Sequence, residues 1–562
     1  MKFKSIIKVF VFFCIIITLY SCGEKPDTIF FNGKIYTMNE SNSIVEAIAV
    51  KQGKIIDLGT TEEIKDKYKS EDEIDLKGNT VLPGFIDSEG SIIEFSNNLN
   101  YINLSYVKSL QDIKDLIIEK TKTTKEGEWI GGYGWSELNI PESELVQMDK
   151  KMLDQIAPNY SVYLVNSSLN TVWVNSRLLR TLKIDKGTQA PPNGEIEKYD
   201  DGEPTGLLYD EAVNLVKDNV PRLLKKEMVD QVEKGVNDII KYGITEVHDR
   251  TVAKEGLEIF RELIDANKFP IKVYAIIPGE DSSLVDSYLT KGAEINYKDK
   301  LTIRAVSLDY DGLFELQDAA MVNDYKNDPK RKVPYVTDAD IERIYTKAID
   351  KNFQFCIKAV GDRAISSSLG IIEKVLKARS PKDQRTVIEY CEFVTPKDLT
   401  KITELNVIPS IRPDVCINDL HIVSQIINPD DAKKLGLWNS LLKSAGKITT
   451  GSDFPFHQIN PFVQMYYLTT RQLTDTTLSS ISNPDQKISL LDAVKSYTIW
   501  PAYSSFEEAT KGSLEKGKYA DMIVISNDIF NVDNKVLLNT KVLRTIINGR
   551  IVYNNMLDPE KL

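Results

Sequence analysis

The chain has 562 residues, of which 42% are hydrophobic and 27% are charged, and its formal net charge is −12. This apolar content is enough for a large buried core, and the length allows two to four domains, although one α/β barrel can take up most of such a chain. The acidic balance and the lack of a clustered basic stripe exclude nucleic acid as an expected partner.

Residues 1–21 have the pattern of a secretory signal. A lysine-containing start precedes an apolar run over residues 9–20, which is too short to cross a bilayer as a permanent helix. The letters Leu-Tyr-Ser-Cys that end at Cys22 are typical of a bacterial lipobox. We therefore expect a lipoprotein that is exported, acylated at Cys22 and tethered by residues 22–27 to the periplasmic face or the cell surface. An ordinary cleaved signal is the alternative.

Both ends of the mature chain predict short strands. Residues 28–82 and 505–562 contain β-rich runs around Asn32-Gly33 and Asn548-Gly549. An Asn-Gly pair between two such runs is a strong hairpin signal. We expect a hairpin at each pair and one small β-sandwich built from both chain ends.

Residues 83–504 predict a TIM-type (β/α)8 barrel. Continuous apolar strands that alternate with helical patterns are typical of a parallel sheet covered on both faces. The long gap after the first strand predicts an inserted subdomain at roughly 98–235. The eight candidate strands are Val81–Asp87, Thr245–Asp249, Ile271–Ile277, Thr302–Leu308, Gln354–Val360, Thr386–Glu392, Val407–Ile411 and Lys447–Asp453.

The C-terminal ends of barrel strands form the functional face in this architecture. We therefore expect the side chains that follow these strands to line a pocket for a small molecule. They are Glu89, Ser91, His248, Asp249, Ser307 or Asp309, Lys358, Tyr390, Asp453 and, on the last loop, His457.

Short motifs occur along the chain in a fixed order. They include Pro83-Gly84-Phe85-Ile86-Asp87, Gly202-Glu203-Pro204-Thr205-Gly206, Gly361-Asp362-Arg363-Ala364, Ile388-Glu389 and Gly451-Ser452-Asp453. With these motifs the chain resembles the amidohydrolase superfamily and, within it, amidohydrolase family 3, the group that includes N-substituted formamide deformylases. The resemblance covers nearly all of residues 28–555.

The resemblance implies a site for one or two divalent metals, usually zinc, which activate a water to attack an amide-type carbon. The family takes its ligands from two histidines after the first strand, from histidines that end the fifth and sixth strands, and from an aspartate that ends the eighth. Many members add a lysine on the fourth strand, and a further histidine lies in the insert. Carried over, these positions hold Glu89, Ser91, Lys358, Tyr390, Asp453, Ser307 and Asn170.

Only Asp453 keeps the family residue, so the metal-ligand histidines are replaced. A catalytic zinc takes imidazole, thiolate or carboxylate ligands, whereas a lysine ammonium has donors only. We therefore expect no bound metal and no other cofactor. In place of a metal we expect an ion pair between Lys358 and Asp453, joined by Glu89 and Tyr390.

Three functions stay open. The first is a degenerate family member that binds a small molecule or serves as a scaffold. The second is a metal-independent enzyme, in which Glu89 or Asp453 acts as general base, Tyr390 as acid and Lys358 as the stabiliser of an oxyanion. The third is a hydrolase of non-peptide carbon–nitrogen bonds, as in the family. Dimers are common in this superfamily, so a homodimer is also considered.

Overall fold

The computed structural model describes residues 25–556, except residues 106, 138, 222, 251, 327–333, 380–382 and 475–482. The signal segment and Cys22 lie outside the described residues. The chain divides into two units. One unit consists of the residues up to Ile92 together with Val236–Leu562, and the other is Ile93–Gly235.

Eight parallel strands form a barrel in the first unit. In chain order they are β1 (Phe85–Gly90), β2 (Ile244–Asp249), β3 (Lys272–Pro278), β4 (Leu301–Asp309), β5 (Gln354–Ala359), β6 (Val387–Tyr390), β7 (Ile408–Ile411) and β8 (Thr449–Thr450). Each strand pairs with the next, and a parallel bridge between Gly90 and Phe454 brings β1 beside the end of β8. A short strand, Glu294–Tyr297, is added antiparallel to β4. The predicted TIM-type barrel is confirmed.

Amphipathic helices follow the strands. Lys254–Asp265 buries Leu257 and Phe260 on one face, and the helix Pro396–Leu405 begins at a capping box formed by Thr395. Such caps satisfy backbone N–H groups that have no partner within the helix. The remaining helices of this unit are Thr61–Lys67, Ser282–Lys291, Asp338–Asp350, Asp362–Arg379, Pro413–Ile426, Pro429–Ala432, Trp438–Ala445, Pro461–Thr470, Leu490–Lys495 and Ile499–Ser504.

The two chain ends build the predicted β-sandwich. Its six-stranded sheet has the order Arg550–Asn554, Val542–Ile547, Met522–Ile525, Thr80–Pro83, Lys34–Tyr36 and Ile44–Val45. The four-stranded sheet has the order Lys54–Gly59, Ala47–Lys51, Thr28–Phe31 and Asp72–Asp75. Phe30, Ile48, Val81 and Met522 share the core between the sheets. The hairpin at Asn548-Gly549 is confirmed, since its flanking strands pair antiparallel.

The hairpin predicted at Asn32-Gly33 is wrong. Thr28–Phe31 pairs within the four-stranded sheet, whereas Lys34–Tyr36 pairs within the six-stranded sheet. Asn32 adopts the left-handed conformation that the Asn-Gly pair favours, with a φ of 56°. The turn carries the chain from one sheet to the other because Phe30 and Ile35, on its two sides, both pack into the core between them.

The first predicted barrel strand, Val81–Asp87, is two strands. Thr80–Pro83 belongs to the sandwich, and the barrel begins with Phe85–Gly90. Gly84 lies at the change of sheet, where a Cβ atom would stand 2.4 Å from the Thr245 side chain. The apolar run is continuous because both strands are buried, so periodicity alone could not divide it.

The second unit contains a six-stranded mixed sheet. Its strand order is Gly194–Lys198, Pro204–Asp210, Thr171–Val174, Ser161–Asn166, Trp129–Trp135 and Ile102–Asn103. Its helices are Leu110–Thr121, Glu142–Leu145, Lys150–Ile156, Ser176–Thr181 and Asn214–Lys217, and Ile92–Asn98 and Lys225–Ile239 lie at the two unit boundaries. No helix among the described residues is long and apolar enough to cross a membrane.

Candidate functional site

The barrel interior is filled by side chains from consecutive strands. A buried cluster takes Tyr274 and Ile276 from β3, Ala305 from β4, Cys356 from β5, Val387 from β6 and Ile408 from β7. Side chains alternate between the two faces of a strand, so the residue two positions further along faces the same interior, nearer the C-terminal end. On β4 to β7 these positions hold Ser307, Lys358, Glu389 and Ser410. We call this C-terminal end of the interior the barrel mouth.

An arginine and a glutamate form a buried ion pair in the mouth. The guanidinium of Arg412 contacts the carboxylate of Glu89, and the two side chains are 0% and 2% exposed. Arg412 directly follows β7, and Glu89 lies on β1, two strands away across β8. Arg412 was not among the side chains predicted from the sequence, although strand alternation from Ile408 through Ser410 places it inside the barrel.

Tyr390 joins Asp453 to Lys358. The Tyr390 hydroxyl donates a hydrogen bond of 2.5 Å to Asp453 Oδ2, and the Lys358 Nζ atom lies 4.6 Å from the centre of the Tyr390 ring. Burial, followed by the charge of Asp453, raises the pKa of Tyr390 well above its usual value, so the phenol stays a hydrogen-bond donor. Tyr390 and Asp453 both have positive φ angles, of 68° and 56°, a strained conformation that is concentrated at functional sites.

The predicted ion pair between Lys358 and Asp453 is not formed. No carboxylate oxygen of the described residues lies within 4.0 Å of the Lys358 ammonium. The reason is that the Tyr390 hydroxyl takes up the Asp453 carboxylate, while the face of the same ring takes up the ammonium as a cation–π contact.

A second arginine holds two further carboxylates. Arg250 Nε donates to Glu389 Oε2 at 2.7 Å, and its terminal nitrogen contacts Asp309. Arg250 lies two residues after His248, so strand alternation predicts that it also faces the barrel interior. It was not among the predicted site residues. Both paired carboxylates lie on strands that flank β5.

The remaining predicted residues of β1 and β2 have structural contacts. His248 is buried, with its ring centre 5.2 Å from that of Tyr274, in the barrel core. Asp249 lies on the opposite face of β2, where its carboxylate accepts the N–H of Ile92 at 3.0 Å. The Ser91 N–H donates to the Phe454 carbonyl at 2.9 Å and helps to close the barrel.

Ser307, His457 and Asn170 have different surroundings. The Ser307 hydroxyl is buried and has no hydrogen-bond partner among the described residues. His457 places its two ring nitrogens 4.0 Å from the carboxylates of Asp414 and Asp453. Asn170 is exposed and belongs to the second unit, where its side-chain oxygen accepts a 2.8 Å hydrogen bond from Asn166.

The side chains that the resemblance assigns to the metal-ligand positions do not have the donor set of a zinc site. Glu89 is bound by Arg412, Lys358 has donors only, and the Tyr390 phenol is protonated. Among the described residues at these positions, Asp453 alone offers a carboxylate that no cation holds, whereas a catalytic zinc takes three protein ligands. Within the ranges that the structure describes, no three or more His, Cys, Asp or Glu residues form a group that could hold a metal ion.

Comparisons with known proteins agree with this architecture. The sequence matches the amidohydrolase family over residues 72–553. Protein LONG AFTER FAR-RED 3 of Arabidopsis thaliana is 27% identical over 545 residues, which cover 94% of this chain and 92% of that protein. N-substituted formamide deformylase of Arthrobacter pascens is 24% identical over 555 residues, which cover 94% of this chain and 99% of that enzyme.

The solved structures show the same fold. An uncharacterized metal-dependent hydrolase from Pyrococcus horikoshii OT3 is similar, with a TM-score of 0.72 and 23% sequence identity, over 90% of this chain and 99% of that chain. At this identity the likeness concerns the fold alone. The family match extends over most of the sequence and includes the whole barrel, so the chain belongs to the amidohydrolase family.

Proposed function

We propose that this amidohydrolase-family protein binds a small organic molecule in the barrel mouth without a catalytic metal. The observation that carries the proposal is the buried contact between Arg412 and Glu89. Glu89 stands at the position that the resemblance assigns to the first metal ligand. A guanidinium is always protonated in proteins, so the chain itself supplies a fixed positive charge there. That charge neutralises Glu89 and repels a divalent cation.

The same contacts argue against the family's chemistry in this chain. Metal-dependent amide hydrolysis needs a metal-bound water whose pKa is lowered far enough to give a nucleophile at neutral pH. With Glu89 held by Arg412, Asp453 is the carboxylate left to activate a water. Deformylation of N-substituted formamides, which the name of the Arthrobacter relative describes, is therefore not the activity that we propose here.

A metal-independent enzyme is the second candidate function. It is favoured by the 2.5 Å hydrogen bond between Tyr390 and Asp453 and by the position of His457, whose Nε2 lies 4.0 Å from Asp453. Asp453 would act as the general base and His457 would exchange the proton with solvent. The high pKa of Tyr390 makes it a positioning donor for Asp453 instead of the acid that the sequence predicted.

Metal content tests the proposed function. The full chain, purified without a histidine tag, is loaded with zinc, dialysed and measured by inductively coupled plasma mass spectrometry. We expect far less than one zinc per chain, both in the wild type and in Asp453→Asn, with unchanged circular dichroism. About one zinc per wild-type chain that Asp453→Asn removes would overturn the proposal. The variant Glu89→His/Ser91→His/Lys358→His/Tyr390→His is the control that restores the family's imidazoles.

We also propose that the chain is a lipoprotein held at a bacterial membrane through Cys22. The proposal is supported by the order of basic residues, apolar run and Leu-Tyr-Ser-Cys in the sequence. Acyl chains anchor a protein because each buried methylene contributes about 0.8 kcal/mol. Labelling of expressing cells with radioactive palmitate should mark the wild type and not Cys22→Ser. Equal labelling of both chains would contradict the proposal.

A further inference from the structure

The cationic side chains of the barrel mouth are paired unequally. Arg412 contacts Glu89, and Arg250 is held by two carboxylates. Lys358 is only partly exposed, and its ammonium has no carboxylate oxygen of the described residues within 4.0 Å. The ammonium instead lies 4.6 Å from the centre of the Tyr390 ring, as a cation–π contact. A partly buried ammonium without an ion pair is energetically unfavourable. An anion from outside the chain could form that ion pair.

Strand register explains why the Lys358 ammonium forms no ion pair with a described carboxylate. Lys358 is in register with Asp309 on β4 and with Glu389 on β6, which are the two nearest carboxylates along the sheet. Arg250 binds both of them, through a contact with Asp309 and a 2.7 Å hydrogen bond to Glu389. The sheet therefore brings two anions beside Lys358, and a bidentate guanidinium takes them up.

Ser307 is a second polar residue of the same interior face whose side chain lacks a hydrogen-bond partner among the described residues. Ser307 is 1% exposed, and its hydroxyl makes no hydrogen bond to any described residue. Ser307 is in register with Cys356, two positions before Lys358, so both side chains face the barrel interior at neighbouring levels. A buried hydroxyl without a hydrogen bond costs about 1–3 kcal/mol, which an acceptor atom of a ligand would recover.

We propose that Lys358 and Ser307 bind the carboxylate group of a small organic ligand. This inference rests on the proposed metal-free binding function and names the chemistry of its ligand. The ammonium has three donors and the hydroxyl has one, and the two oxygens of a carboxylate accept from both without a donor of their own. The ring of Tyr390 holds the ammonium from the other side. A primary amide of the same shape lacks the charge and brings two N–H donors toward a cation.

Calorimetric titration of the full chain tests this inference. The probes are acetate, benzoate and N-acetylglycine, each compared with its primary amide. We expect at least one carboxylate to bind 10-fold or more tightly than its amide, since hydrogen bonds to charged groups are about twice as strong as neutral ones. Lys358→Met should weaken that carboxylate by about 10- to 100-fold, and Ser307→Ala by about 5-fold. Lys358→Arg should retain part of the affinity.

Lys377→Met is the matched control, because the Lys377 side chain is 74% exposed on an outer helix, and it should leave the affinity unchanged. Amides that bind as well as the carboxylates, an affinity that Lys358→Met does not change, or no binding by any of the six probes would each overturn the inference. One zinc per chain in the metal assay would overturn the proposed function itself. A zinc-free protein that does not prefer carboxylates would overturn this inference alone.

Discussion

Lysine side chains at the two ends of the barrel differ in their ion pairing. At the N-terminal ends of the strands, which we call the base, Lys511 Nζ lies 2.5 Å from Glu246 Oε2 and 3.0 Å from Glu507 Oε2. Also at the base, Lys272 contacts Asp521. At the mouth, the Lys358 ammonium lies over the Tyr390 ring, and no carboxylate oxygen of the described residues is within 4.0 Å of it. Lys511 and Lys272 at the base therefore form ion pairs, whereas Lys358 at the mouth forms none with a described residue.

This difference separates a structural role from a functional one. The ion pairs at the base connect barrel strands to the C-terminal segment that continues into the sandwich. A buried charge is tolerated when an opposite charge lies beside it. An ammonium without an ion pair, such as that of Lys358 at the mouth, lowers stability. Departures of this kind are expected at functional sites, where the group binds a ligand. The comparison therefore predicts that substitutions at the base change folding most, and that substitutions at the mouth change binding most.

Removal of the base cation should give the largest effect. Lys511→Met removes the ammonium that Glu246 and Glu507 share in the buried base, and we expect the free energy of unfolding to fall by about 3–5 kcal/mol. Denaturant unfolding followed by circular dichroism measures it. The exposed Lys516→Met, five residues away, is the control and should stay within about 0.5 kcal/mol of the wild type. Equal effects of the two substitutions would contradict the structural role of the Lys511 ion pairs.

Breaking the ion pair between Arg412 and Glu89 at the mouth should lower the free energy of unfolding almost as much. Arg412→Met isolates the Glu89 carboxylate in the barrel and should cost about 3 kcal/mol. The double variant Glu89→Met/Arg412→Met should recover most of that loss, because both desolvated charges are then gone. A double-mutant cycle by denaturant unfolding provides the measurement. Additive losses would show that the two side chains do not interact.

A pH effect of intermediate size is expected from Asp311, on the loop after β4. Burial raises its pKa to about 6, although its carboxylate accepts the N–H groups of Ala320, Val360 and Gly361. The folded state therefore binds this proton more tightly than the unfolded chain does. The stabilisation is complete below the ordinary pKa near 4 and is lost as the pH rises through about 6.

Asp311→Asn should make the free energy of unfolding less dependent on pH. The difference in that free energy between a pH of about 4 and a pH of about 7 should change by on the order of 2 kcal/mol. The measurement is the free energy of unfolding at several pH values from about 4 to about 7. An unchanged slope in the variant would assign the pH dependence to other groups.

The smallest change in stability should come from Lys358. Lys358→Met removes an ammonium that forms no ion pair within 4.0 Å among the described residues, so we expect a shift in the free energy of unfolding of less than about 1 kcal/mol, or a gain. The same unfolding experiment measures it beside Lys511→Met. A loss as large as that of Lys511→Met would break the comparison, because it would show that Lys358 is paired within the fold.

The sequence by itself determined the barrel and the positions of its strand ends. Every one of the eight predicted strands overlaps a barrel strand, because long apolar runs are buried on both faces in a parallel sheet and stand out from the polar turns. The family motifs then placed Glu89, Lys358, Tyr390 and Asp453 at the C-terminal ends. Local turn chemistry was less decisive: the same Asn-Gly pair forms a hairpin at Asn548 and carries the chain between two sheets at Asn32.

Only the tertiary structure decided which charges meet. Arg412 reaches Glu89 because the barrel closes β8 against β1, and no local pattern encodes that distance. Arg250 takes up the two carboxylates beside Lys358 because strand register aligns residues that lie far apart in sequence. Residue types at strand ends thus follow from sequence, whereas the ion pairs that they form follow from side-chain alternation and closure of the sheet.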